Sequence, residues 1–321
     1  MNKSKIVLIA FLLLNITLLT VLYGILINSG FNPLGDKAPD ANAGLQENVS
    51  PTRPEAVPVE PESIELSVKC EYITVGTTMK LEAKISPSDA TDAKITWTSD
   101  NGAVASVGDD GTVKGIAKGV AYIKASADNG VFAVHRIYVM NPGLVFLSPS
   151  RQIGNPYYNK MTDECTQAFL MSGYCKERLE AAGLEVYECP TKYELESRGK
   201  LAADMGAKCY VAIHTNAGGN DTGTMSFYNR RSEKSIRLAM AVYDTVAPIT
   251  PDADAGVKNG VKSDGKTYKE IEYPYNAGVP STLLEVDFHD KEKSARWLMN
   301  NSELIGYSIA DGILLFMYEN Y

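Results

Sequence analysis

The rhythm of apolar and polar positions changes three times along this chain. Residues 6–27 form an apolar run broken mainly by Asn15, Thr17, Thr20 and Gly24. Its length matches the roughly 20 apolar residues that cross a bilayer core. Residues 30–62 carry Pro33, Pro39, Pro51, Pro54, Pro58 and Pro61 with almost no large apolar side chain. Such a stretch cannot bury enough surface to fold and reads as an extended linker. From residue 63 to about 140, apolar and polar positions alternate in short runs, as in Ile64-Glu-Leu-Ser-Val68 and Met79-Lys-Leu-Glu-Ala-Lys-Ile85. That period of two, interrupted by turn residues, predicts an all-β sandwich.

From Gly143 the period changes again. Strand-like runs at 144–148, 184–189, 208–213, 224–228 and 281–286 alternate with helical patterns at 162–182, 193–205, 232–246 and 303–316. In the first helical pattern Cys165, Ala168, Ser172, Cys175, Leu179 and Ala182 recur on one face, with Thr162 as the expected cap and Gly183 as the stop. This order predicts an α/β domain with a mostly parallel sheet and helices on both faces. The expected divisions are 1–29 (membrane segment), 30–62 (linker), 63–140 (sandwich) and 141–321 (α/β domain).

Charge and composition narrow the partners. A net charge of -8 argues against a nucleic-acid protein. Five cysteines without a CxxC pair are neither a disulfide framework nor a zinc knuckle. Lys3 and Lys5 precede the apolar run, which favours a cytoplasmic amino terminus and an exported remainder. No small-x-small cleavage site is evident, so an uncleaved membrane anchor is expected; a cleaved signal peptide is the alternative and also exports the chain.

The chain has three histidines, and one stands where chemistry is expected. His214 closes the apolar run Cys209-Tyr-Val-Ala-Ile213 and precedes small polar residues. Ligands of open α/β sheets bind at the carboxyl ends of the strands. Glu285 ends another strand, and Glu164 lies in the first turn of the helix after the first strand. A right-handed crossover starts that helix near the same sheet edge. One imidazole and two carboxylates in one crevice suit a zinc hydrolase, with ligands and a general base. His135, in the last strand of the sandwich without an acidic neighbour, reads as structural.

Two resemblances add to this. Val75-Gly-Thr-Thr, Ile95-Thr-Trp-Thr-Ser-Asp-Asn101 and Gly111-Thr-Val-Lys-Gly-Ile-Ala-Lys-Gly119 resemble the bacterial Ig-like domain, group 2, which implies a spacer or a wall- or carbohydrate-binding module. Ile213-His-Thr-Asn-Ala217, the Arg198…Ala202 helix, Gly223-Thr-Met-Ser-Phe-Tyr228 and Thr282-Leu-Leu-Glu285 resemble the zinc-dependent N-acetylmuramoyl-L-alanine amidases of the amidase-3 type. The resemblance implies peptidoglycan as partner and hydrolysis of the amide between N-acetylmuramic acid and L-alanine. It also implies Zn2+ held by Glu164 and His214, with Glu285 as general base. The apolar run at 6–27 and the lysines before it make the expected protein single-pass in the cell membrane, with its carboxy-terminal domains extracellular and facing the wall.

The chain departs from that pattern at Ser148-Pro-Ser-Arg-Gln152. Arg151 stands where the family has its first zinc histidine, as in a divergent Gram-positive branch that also shares Asp287-Phe-His-Asp290. Arginine stays protonated and cannot ligate. His289 is the favoured replacement and Gln152 the other, while a site with neither is the third outcome. Asn155, Tyr157 and Asn216 are expected along the substrate groove. The alternative function is an inactive homologue that binds peptidoglycan or regulates a wall hydrolase.

Overall fold

The computed structural model describes residues 58–68, 70–90, 94–218, 222–252 and 255–321. The expected membrane segment and most of the expected linker lie outside them. Among the described residues no helix is long and apolar enough to cross a membrane. Residues 57–321 form one compact unit.

Nine short strands come first: β1 (Ser63–Ser67), β2 (Tyr72–Thr74), β3 (Thr78–Lys80), β4 (Glu82–Ser86), β5 (Thr96–Ser99), β6 (Ala105–Val107), β7 (Thr112–Gly115), β8 (Gly119–Ser126) and β9 (Phe132–Met140). They pair as β1-β4, β2-β9-β8-β5 and β3-β7-β6. The alternation read from the sequence becomes a core of Ile73, Leu81, Val113, Ile123, Ile137 and Val139. Gly111, at φ +82°, turns the chain where a Cβ would meet Leu81 O and the Trp97 ring.

The second part holds β10 (Leu144–Pro149), α1 (Glu164–Ala181), β11 (Glu185–Glu188), α2 (Leu195–Asp204), β12 (Cys209–Asn216), β13 (Met225–Tyr228), α3 (Glu233–Val246), β14 (Gly256–Asn259), α4 (Lys269–Asn276), β15 (Ser281–Phe288), α5 (Glu292–Asn300) and α6 (Ser302–Asn320). Its six-stranded sheet has the order β11-β10-β12-β15-β13-β14. β11, β10, β12 and β15 run parallel, and β13 turns antiparallel to β15. The sheet is therefore mixed, as the short 217–224 connection from β12 requires, because a parallel partner needs a longer crossover.

Three local expectations shift. The cap of α1 is Asp163, whose side chain accepts from the Thr166 amide at 2.8 Å, and not Thr162. β12 runs on through His214 to Asn216, so the histidine is the sixth strand residue and not the first of a loop. The short β14, α4 and α5 carry too few periodic positions to announce themselves.

The two parts share buried surface. The Thr74 amide donates to Ala182 O at 2.9 Å and Thr74 Oγ1 to Gly183 O at 3.1 Å, closing the carboxyl end of α1. Cys70 and Met140 enter the same apolar cluster as Leu179, Phe316 and Met317. Tyr72 and Tyr138 stack at 4.8 Å, and Tyr318 of α6 meets Tyr138 edge-on at 5.1 Å.

Candidate active site

The site begins with β12. Its alternation sends Tyr210 and Ala212 into one apolar cluster and Val211 and Ile213 into the other, on opposite sheet faces. His214 continues the Tyr210 row, and Thr215 the Val211 row. In the parallel ladder His214 pairs with Glu285 of β15, which places both at one level of the sheet edge. A register shift between His214 and Asn216 ends the regular pairing there.

Glu164, the first residue of α1, comes over this edge. Its Oε1 lies 2.9 Å from His214 Nδ1. Asn155, in the loop before α1, donates from Nδ2 to Glu164 Oε2 at 2.7 Å. Glu164 is fully buried and His214 is 6 % exposed. Oε1 accepts no hydrogen bond, and neither does Glu285 Oε2. Burial pushes the Glu164 carboxyl up, but His214 and Asn155 outweigh it and hold it below its ordinary value. Burial pushes the His214 imidazole down, and the Glu164 carboxylate raises it more. Glu285 is pushed up to about 8, by burial first and by the Glu164 and Glu270 carboxylates next, against the pull of His214.

Buried polar atoms are normally partnered, and buried charges are paired or bind metals. Here an imidazole nitrogen and a buried carboxylate oxygen meet as an ion pair at 2.9 Å. Both are zinc-donor types, though two are fewer than the three protein ligands of a catalytic zinc site. Among the described residues no three His, Cys, Asp or Glu side chains gather into one metal-binding group.

The other residues expected here are spread out. Arg151 turns away: its guanidinium pairs with Glu194 at 2.5 Å and donates to Tyr193 O at 3.2 Å. Gln152 is exposed, with its Oε1 3.5 Å from Asn155 Nδ2. His289 is 1 % exposed, and its Nδ1 lies 2.8 Å from Thr215 Oγ1. The other ring nitrogen of His289, Nε2, is buried without a partner among the described residues, and the Glu164 carboxylate acts on the imidazole against the effect of burial. Tyr157, expected in the groove, is 1 % exposed and stacks on His289 at 4.9 Å. Asn216 is half-buried, its Oδ1 accepting from the Ala217 amide at 2.8 Å.

Sequence reading left the positioning residues without roles. Arg198 of α2 is 1 % exposed. It donates to Ser148 Oγ at 2.7 Å, Pro149 O at 2.9 Å and Tyr193 O at 3.1 Å, which ties the end of β10 to the loop before α2. Asp287 and Asp290 accept from the Gly223 and Gly218 amides at 3.1 and 2.9 Å, holding both ends of the loop after β12. The signals for Arg198 are the Arg198…Ala202 helix of the family resemblance and its place on the buried face shared with Gly199 and Ala202.

Residues 149–314, just over half of the chain, match the N-acetylmuramoyl-L-alanine amidase family. The chain belongs to that family. Residues 62–137 of this amidase match the bacterial Ig-like domain, group 2. The amidase shares its fold with an N-acetylmuramoyl-L-alanine amidase from Clostridium difficile 630 (19% identity, 56% of this chain and 100% of that one, TM-score 0.50). It is also similar to the CwlV catalytic domain from Bacillus (Paenibacillus) polymyxa var. colistinus (24% identity, 54% and 97% covered, TM-score 0.48). A third likeness is to AmiC2 of Nostoc punctiforme (20% identity, 54% and 96% covered, TM-score 0.47). A comparison with curated proteins finds no match.

Proposed function

We propose that this amidase is an exported peptidoglycan hydrolase that cleaves the amide between N-acetylmuramic acid and L-alanine, with zinc held by Glu164 and His214. The observation that carries the reading is the convergence of Glu164 Oε1 on His214 Nδ1 at 2.9 Å, level with Glu285. Zinc at that pair supplies polarisation of the scissile carbonyl and a lowered pKa for attacking water.

The chain's own groups do the rest. Glu285 takes a proton from the attacking water and returns it to the leaving nitrogen of L-alanine. Asn155 fixes the free rotation of the Glu164 carboxylate. Arg198 holds the Ser148–Pro149 end of β10 beneath the site. The membrane segment read at residues 6–27 would keep the enzyme at the cell surface, facing its polymer.

One observation favours a second reading. Arg151 takes the first-histidine position and is bound outward to Glu194, leaving two protein ligands. With weak metal affinity the domain would bind peptidoglycan without cutting it.

Digestion of purified peptidoglycan by the zinc-loaded full chain separates the two. The amidase reading expects stem peptides with a free L-alanine amino terminus. It also expects Glu285→Gln to lower their release by about 10²–10⁴-fold while zinc stays bound. A folded, zinc-loaded protein that releases none would establish the second reading.

A further inference from the structure

Away from the catalytic edge, a cavity of about 410 Å³ opens between the β13–α3 loop, the turn after β14 and the start of α4. Arg230, Arg231, Lys266 and Lys269 line it, against a single carboxylate, Glu272. In a chain of net charge -8 this is a local inversion of sign. Glu272 is 3.6 Å from Arg231, and Lys266 is 3.9 Å from Asp264 outside the lining. Arg230 and Lys269 pair with no carboxylate among the described residues.

The cavity is also built. Asn229, 1 % exposed, is part of its wall. Its Oδ1 accepts from the Arg231 amide at 3.1 Å and from Arg231 Nε at 3.3 Å. A flipped amide would set its NH2 against those two donors, so the orientation is fixed. That leaves Asn229 Nδ2 a buried donor with no acceptor in the protein. The Arg231 guanidinium lies over the Tyr275 ring at 4.4 Å, which keeps its donor fork in one plane.

We propose that this cavity is a phosphate-binding site. Its excess of cations, with Arg forks and a buried amide donor, suits the tetrahedral oxygens of a phosphate group better than a planar carboxylate. Met225 of β13 is level with Glu285, and Tyr228 with Thr282. The cavity therefore begins about 10 Å along the strands from the catalytic carboxylate. The proposal stands apart from the amidase reading. The phosphate could be free or a phosphodiester of an anionic wall polymer.

Calorimetric titration of the full chain with inorganic phosphate at constant ionic strength tests this. Saturable binding is expected. The pair Arg230→Gln and Lys269→Gln should weaken it at least tenfold without changing the melting temperature in phosphate-free buffer. Displacement of the bound phosphate by glycerol-phosphate polymer would assign the site to the wall polymer, and no displacement would assign it to free phosphate. No saturable binding, unaltered binding by the paired variant, or equal binding of succinate would each overturn the proposal.

Discussion

The carboxyl ends of β10 and β12 sit side by side, paired in parallel within one mixed sheet, and are treated in opposite ways. β12 ends in His214, which is buried, level with Glu285 and 2.9 Å from Glu164. β10 ends in Ser148-Pro-Ser-Arg, and its Arg151 reaches outward to Glu194. Yet the β10 end is held firmly, because the buried Arg198 bonds both Ser148 and Pro149. That end is held in place while its Arg151 side chain offers no metal donor. Backbone position and donor chemistry are thus separable: hydrogen bonds to carbonyls and hydroxyls fix the first, and one side chain decides the second.

The largest test of this contrast is Arg151→His. If the β10 end is correctly placed, a third nitrogen donor should tighten zinc binding by more than roughly 100-fold, read by competition with a chelator. Unchanged affinity would show that the strand end points away, not only its side chain. Removing support from the competent side should have a smaller effect. Asn155→Ala frees the Glu164 carboxylate and should weaken zinc by about tenfold in the same titration.

The pH dependence of the metal-free protein sharpens the comparison further. The folded Glu285 carboxyl is raised from 4.5 to about 8, because burial disfavours its charge. Its contribution to stability is therefore fully present below 4.5 and is lost as pH rises through about 8. The melting temperature should fall across that window, and Glu285→Gln should remove this part of the slope. Bound zinc should flatten it too, since a cation favours the carboxylate. On the β10 side, Glu194→Gln removes a pair whose side chains are 32% and 74% exposed. Chemical denaturation should show little or no loss, as for an exposed pair. A larger loss would make the outward turn of Arg151 a structural requirement.

Much of this was legible in the chain. Period-two alternation marked the sandwich, and the change of period at Gly143 marked the α/β domain. His214, Glu164 and Glu285 could be placed at one edge because strand ends and crossover handedness obey general rules. What the chain alone did not show are contacts made at a distance. His289, the favoured substitute ligand, has its Nδ1 2.8 Å from Thr215 Oγ1, far away along the chain, while its buried Nε2 has no partner among the described residues. Tyr157 read as a groove residue and is buried against that same ring.

The sequence by itself determined the order of the two folded parts, the strand that carries the imidazole and the arginine at the end of the first α/β strand. Periodicity and residue identity are properties of the chain alone. Only the tertiary structure decided that β13 runs antiparallel, that Arg198 secures the β10 end, and that Glu164 Oε1 meets His214 Nδ1 at 2.9 Å. Those depend on which side chains are brought together from distant segments, and on whether burial leaves each polar atom a partner.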